Sequence, residues 1–213
     1  MNNSMQYRIF HNDAAPLTCL SGAALLIMAS DRLAHAITIT GALVWVFGFS
    51  SLTAHIGARA FPQRGRTMLL VFITSFFAGI YLLLLWMLSP LCAMESFFVV
   101  SLIPMFCMVS GILQQMETMT LEDGLFASCS EALILGALIV IFAFIREPFG
   151  FLSLSLPGGA QGTVLLFSFK TESFLPIRLI ASSAGALLLL GYFLGLYRYF
   201  RTQYGLREGH DGF

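Results

Sequence analysis

The residues able to do chemistry are few, and most of them interrupt apolar runs. The segment SLIPMFCMVSGILQQ, from Ser101 to Gln115, places the Cys107 thiol between Pro104 and Gly111. Pro and Gly weaken a helix, so a thiol between them is either a small buried hydrophobe or a group turned toward something buried. The other cysteines are Cys19, Cys92 and Cys129. No two of the four form a C-x-x-C pair, which removes the zinc and thioredoxin patterns. Cys92 and Cys129 read as buried small hydrophobes. Glu131 interrupts a later apolar run, and an ionisable residue inside such a run is a candidate for an ion path. Arg146 and Glu147 close the same run and read as a pair at its end. His35 and His55 flank a further run with nothing nearby to complete a metal set. The sequence holds no Walker loop, dinucleotide fingerprint or catalytic triad, so nothing in it points to an autonomous enzyme.

The elements that carry these residues are set by composition. Of 213 residues, 58% are hydrophobic and 10% charged, where a soluble domain carries about 25% charged residues. The mean hydropathy is +0.85. The formal charge is zero, which leaves no basic footprint for nucleic acid. Since about 20 apolar residues cross a bilayer, six spans are predicted, at 14–30, 33–55, 68–88, 97–112, 126–145 and 176–199, in a single transmembrane domain covering 1–213. Arg8, an apolar run and Ala34–Ala36 imitate a signal peptide, but Asp31 and Arg32 interrupt the run, which reads as a retained first helix.

The first and fourth spans are short, and each holds Pro, Cys and Gly: Pro16, Cys19 and Gly22, then Pro104, Cys107 and Gly111. They head the two halves of the chain. The expected fold is therefore all-α, a polytopic membrane protein of two inverted three-helix repeats. Broken half-helices at the first and fourth spans would meet near the midplane. Gly191 and Gly195 form a G-x-x-x-G on the last span, suited to close helix packing. Arg8, Arg59, Arg64, Arg66, Arg198, Arg201 and Arg207 fall on one side and predict that both termini are cytoplasmic. The Gly- and Ser-rich stretch after Glu147 is expected to fold over the outer face or lie in the interface.

Several of these segments, taken in order, resemble the Rnf/Nqr family of integral membrane subunits. SLIPMFCMVSG is similar to the family's fourth-helix motif. EDGLFASCSEALILGALIVIFAFIREPFG resembles its next element, through Asp123, Gly124, Arg146, Glu147 and Gly150. SGAALLIMASDRLAHA resembles the end of the first helix and the entry to the second, with Gly22, Arg32, Leu33 and Ala36 in register. The cytoplasmic N-terminus and the long loop after Glu147 look more like the RnfE/NqrD side of the family than the RnfA/NqrE side.

The resemblance implies a non-autonomous subunit of a redox-driven translocase in the inner membrane of the cell. Such a complex couples ferredoxin or NADH oxidation to Na⁺ or H⁺ transport. The implied partners are a sibling membrane subunit in the opposite orientation, flavoprotein and iron–sulfur subunits, and the lipid bilayer. The implied cofactor is one 2Fe–2S cluster shared with the sibling and held by one Cys from the first helix and one from the fourth of each subunit. Cys107 matches the fourth-helix ligand. The first-helix position falls on Ala24, with Cys19 five residues earlier. The alternatives are a stand-alone inverted-repeat transporter or channel, and a cofactor-free scaffold subunit.

Overall fold

The computed structural model describes residues 15–57, 65–110, 113, 120–158, 162–168 and 178–208. The elements are helices α1 (Ala15–Ala29), α2 (Leu33–Gly57), α3 (Arg66–Leu88), α4 (Pro90–Ser110) and α5 (Leu121–Phe151), strands β1 (Ser153–Pro157) and β2 (Thr163–Ser168), and helices α6 (Arg178–Ala181) and α7 (Ser183–Glu208). Among the described residues, four helices are long and apolar enough to cross a membrane: Leu33–Gly57, Thr67–Leu88, Pro90–Ser110 and Leu121–Phe151. α1 and the apolar part of α7, Ser183–Leu196, are shorter. The protein is a multi-pass, essentially all-α membrane protein.

Its helices are apolar on every side, and residue size decides which side faces inward. Ala29, Ala36, Ala42, Ala132 and Ala143 are buried at the helix contacts, and Phe72, Phe76, Met87, Met94, Phe97, Phe98 and Phe126 are exposed. Small residues let backbones approach, while large apolar side chains on the outer surface suit lipid contact. On α2 and α5 the closest approach is at Gly136. A Cβ there would collide with Thr40 Cγ2, and Thr40 Oγ1 donates to Gly136 O at 3.2 Å.

Side-chain contacts fix the helix directions. Thr40 meets Gly136, while Leu33 N donates to Glu147 Oε2 at the far end, so α2 and α5 are antiparallel. His35 pairs with Glu95 at 2.7 Å and Phe47 stacks near Phe106, so α4 runs with α2. Tyr81 OH donates to Thr38 O at 2.7 Å and Phe77 lies on Phe49, so α3 opposes α2. Gly22 lies against Phe106 and Leu135, while Ser30 meets Arg146, so α1 runs with α5. Phe193 packs on Phe142, with Ser182 near Arg146, so α7 opposes α5. Directions alternate along the chain. The start of α1 and the end of α7 therefore lie at one end of the bundle.

Three boundaries differ from the sequence reading. α4 begins at Pro90, not near residue 97. Ser89 stands before it as N-cap, its Oγ 3.5 Å from Cys92 N, and Pro occupies the first helical position. The expected break at Pro104 is not present: α4 is helical through it to Ser110, and Gly111 lies outside the described residues. Pro104 removes the donor to Val100 O, a loss that packed membrane helices tolerate, and both residues are buried here. α1 is likewise one uninterrupted helix that contains Pro16 near its start. The interruption falls instead in the last span, at Ser182, between α6 and α7. There Ser182 Oγ donates to Leu179 O at 2.6 Å, and Gly185 N donates to Ser182 Oγ at 3.2 Å.

α5 is also longer than expected. Thr120 caps it, accepting from Asp123 N at 3.3 Å and donating to Asp123 Oδ2 at 2.7 Å. The helix continues through Arg146, Glu147 and Pro148 and ends where Leu152 takes a left-handed φ of 51°. The long loop then forms an antiparallel β-hairpin, β1 with β2, which sequence reading did not anticipate. β1 packs on α2 and α5.

Candidate functional site

Two groups of polar residues interrupt the apolar bundle. The first is at one end, where α5 ends. Arg146 and Glu147 are 2% and 1% exposed, the only charged residues among the described ones to be buried. Sequence reading expected them to pair at the interface. Instead they point to different helices, as consecutive residues on a helix must. Arg146 Nη1 donates to Ile27 O at 3.1 Å and to Ser30 Oγ at 2.7 Å, at the C-terminus of α1. Its Nε donates to Ile180 O at 3.2 Å and its Nη2 to Ala181 O at 2.9 Å, at the C-terminus of α6. Glu147 Oε2 accepts from Leu33 N at 2.8 Å, at the N-terminus of α2. A cation thus serves two helix C-termini and an anion serves a helix N-terminus, the favourable sense of both helix dipoles. Guanidinium is suited to this because its planar fork reaches several carbonyls at once. Arg32 lies over the Phe151 ring, 5.9 Å from its centroid, and closes the same corner.

The second group is spread over α2, α4 and α5, nearer the other end. Cys107 is fully buried in the core. Phe47 and Phe106 pack beside it with ring centroids 5.8 Å apart. Ser50 on α2 and Ser128 on α5 are fully buried as well. Their Oγ atoms and Glu131 Oε2 are buried without a hydrogen-bond partner. Sequence reading singled out Cys107 and Glu131. It missed the two serines, because a lone Ser in an apolar run is indistinguishable from one that bonds to its own backbone.

The remaining expected residues are structural or lie elsewhere. Gly22 faces α4 and α5, with Phe106 3.4 Å from the Cβ it lacks. Asp123 caps α5 from an exposed position and Gly124 is buried in its first turn. Gly191 and Gly195 are exposed, with nothing within 4 Å of either missing Cβ, so the G-x-x-x-G does not pack inside this chain.

A 2Fe–2S cluster takes four thiolates. The described residues do not fit an open half-site for one. Cys107 has no exposed surface. Cys92 is on the same helix, about 22 Å along its axis at about 1.5 Å per residue. Ala24 is exposed, away from the α1 face that Gly22 turns to Phe106 and Leu135. Cys19 lies on α1, one turn before Gly22, and its side chain is outside the described residues. Among the described residues no group of three or more His, Cys, Asp or Glu is arranged to hold a metal ion.

No protein-family model matches the chain, and no curated protein matches it at a meaningful level of similarity.

Proposed function

We propose that this protein is a divergent membrane subunit of a redox-driven ion-translocating complex of the Rnf/Nqr type, set in the inner membrane with both termini cytoplasmic. Its part is to hold the assembly together and to line an ion path through Glu131. The observation that carries the reading is the junction itself. The two segments that resemble family motifs, around Gly22 and around Cys107, are packed against each other with Gly22 on Phe106.

The arrangement of helices supports the inverted repeat behind this reading. α1 meets α4 and α2 meets α5, the corresponding members of two halves, and each pair is antiparallel. The sibling subunit would sit on an outer face, for which the exposed Gly191–Gly195 ridge of α7 is suited. Because Cys107 is enclosed, no electron-transfer step is assigned to it.

The test is purification from native membranes in mild detergent under anaerobic conditions, with iron analysis and electron paramagnetic resonance on wild type and Cys107→Ser. Co-purifying flavoprotein and iron–sulfur subunits, with iron content unchanged in the variant, are expected. A 2Fe–2S signal lost in Cys107→Ser would return the thiol to a ligand role. A chain that purifies alone, without redox subunits, would overturn the proposal. A stand-alone transporter is the second reading, favoured by one observation: Glu131 Oε2 is buried without a hydrogen-bond partner inside a single chain.

A further inference from the structure

The β-hairpin after α5 is built of two unlike strands. β1 is the inner one: Ser155 has no exposed surface, and Leu154 and Leu156 pack against the core. β2 is the outer one, and Val164, Leu165, Leu166 and Phe167 are all exposed. A strand with one face in water alternates apolar and polar residues, whereas a run apolar at every position belongs to a strand covered on both faces. β2 has such a run, yet none of the described residues covers it. The hairpin is also uncharged: SLSLPGGAQGTVLLFS, from Ser153 to Ser168, holds no Asp, Glu, Lys or Arg.

Its place in the fold says what lies next to it. The base of the hairpin follows Leu152 at the end of α5. Near the tip, Gly162 is buried with a φ of 83°, and a Cβ there would lie 3.1 Å from Leu91 Cβ, in the first turn of α4. Gly158 N donates to Gly162 O at 2.7 Å. The end of α5 and the start of α4 both adjoin the start of α2, through Glu147 with Leu33 and Glu95 with His35. They are therefore at one end of the bundle, opposite the start of α1. The hairpin is fixed at both ends and lies across that end, along the membrane plane. Phe149 and Phe151 at its base and Leu91 and Met94 at its tip are themselves exposed. β2 is thus continuous with the apolar surface that faces lipid.

We propose that β2 docks in the bilayer interface, at the boundary of glycerol backbones and acyl chains in the leaflet opposite the start of α1. The competing occupant for an exposed strand edge is a strand of another chain, and the register argues against it. Leu154 pairs with Phe167 and Ser155 with Leu165, so Leu166 is an extra residue in β2. A bulge of this kind bends the strand and blunts its edge. The same edge sets the depth. Among the described residues the sheet has two strands, so the outer edge of β2 lacks a ladder partner, and hydrocarbon would leave its backbone groups unsatisfied. The apolar side chains enter the acyl boundary while the backbone stays level with headgroups and water, as it does for helices that lie in the interface. With no charge in the hairpin, the attraction is apolar and independent of headgroup charge.

The test uses the wild-type, full-length chain in phosphatidylcholine nanodiscs that contain a phospholipid with a diazirine on its acyl chain close to the glycerol. Light turns the diazirine into a carbene that inserts into whatever it touches, and mass spectrometry locates the adducts. Hydroxyl-radical oxidation of a parallel sample reports contact with water. Carbene adducts are expected on Val164–Phe167, with Phe167 protected from oxidation. Both readings should be unchanged at high salt or when phosphatidylglycerol replaces part of the phosphatidylcholine. Moving the diazirine to the end of the acyl chain should shift the adducts from β2 to exposed residues inside α4 such as Phe98. The double variant Leu165→Asn, Phe167→Asn is expected to lose the adducts on β2 and keep those on Phe98; the wild-type result decides alone if that variant does not fold. Oxidation of β2 without carbene adducts overturns the proposal, because the strand is then in water. Protection from both reagents overturns it too, because protein, as a second copy or another subunit, then covers the strand. So do adducts that high salt removes, since charge would then hold the strand at the surface.

Discussion

Arg146 shows how one side chain holds several elements. It supplies donors to carbonyls of α1 and α6 that have no intrahelical partner. Arg146→Ala would leave those buried carbonyls unpaired, at about 1–3 kcal/mol for each unsatisfied group. A total loss of about 3 kcal/mol or more is expected, read as a fall in melting temperature in detergent. Arg146→Lys should recover only part, because an ammonium lacks the planar fork. Glu147→Gln keeps an acceptor for Leu33 N and is expected to cost about 1 kcal/mol, less than Glu147→Ala. If Glu147→Ala and Glu147→Gln melt together, the bond to Leu33 N is not what the residue supplies. Both residues stood out in the sequence as charges closing an apolar run, but they read there as a pair with each other. Their partners were not legible, because they lie 114 to 119 positions away in α1 and α2 and 34 to 36 positions away at the break in the last span.

At the scale of elements, two junctions decide the packing. The α2–α5 seam closes on Gly136, where a Cβ would collide with Thr40 Cγ2 and lie 3.1 Å from Thr40 Cβ. Thr40 is β-branched and tied by its hydroxyl to Ala36 O and Gly136 O, so it cannot move aside freely. Gly136→Ala is expected to destabilise by about 1–3 kcal/mol, the usual range for overpacking, with chemical unfolding as the check. Gly191→Ala and Gly195→Ala meet open space, and should change the stability of the isolated chain by less than about 0.5 kcal/mol. If they nonetheless abolish co-purification of other membrane subunits, α7 is the assembly face. If assembly is unaffected, the partner sits elsewhere. The boundary signals at this scale were present but outweighed. Ser89–Pro90 is a helix-start pair, and Ser182, Ser183 and Gly185 are small and polar inside an apolar run. Pro104 drew attention as a break, yet the surrounding helices keep it within a continuous α4.

For the whole molecule, alternating helix directions place the start of α1 and the end of α7 at one end of the bundle. The arginine bias behind the proposed orientation predicts that this end is cytoplasmic. A reporter active only in the cytoplasm should therefore work when fused to either terminus. An export-dependent reporter should work when inserted at the Asp31–Arg32 turn, on the far side. Termini on opposite sides would mean that α1 or α7, the two short apolar helices, does not cross. The outer surface carries exposed Phe, Leu, Met and Trp side chains over its length. Transfer out of lipid or detergent is accordingly expected to cause aggregation, seen by light scattering, with no monomer surviving.

By itself the amino-acid sequence determined that the chain lives in a membrane, where most helices run, and that Cys107, Glu131, Arg146 and Glu147 are the residues to watch. Those conclusions rest on composition and on the cost of polar groups in apolar runs, which are local properties. Tertiary structure alone decided that Arg146 and Glu147 serve three different helices, that Cys107 is enclosed, and that the last span and not the fourth is interrupted. Each of these depends on the register of helices distant in the chain. In helices apolar on every side, no periodic stripe marks the inner face, so only packing against neighbours selects it.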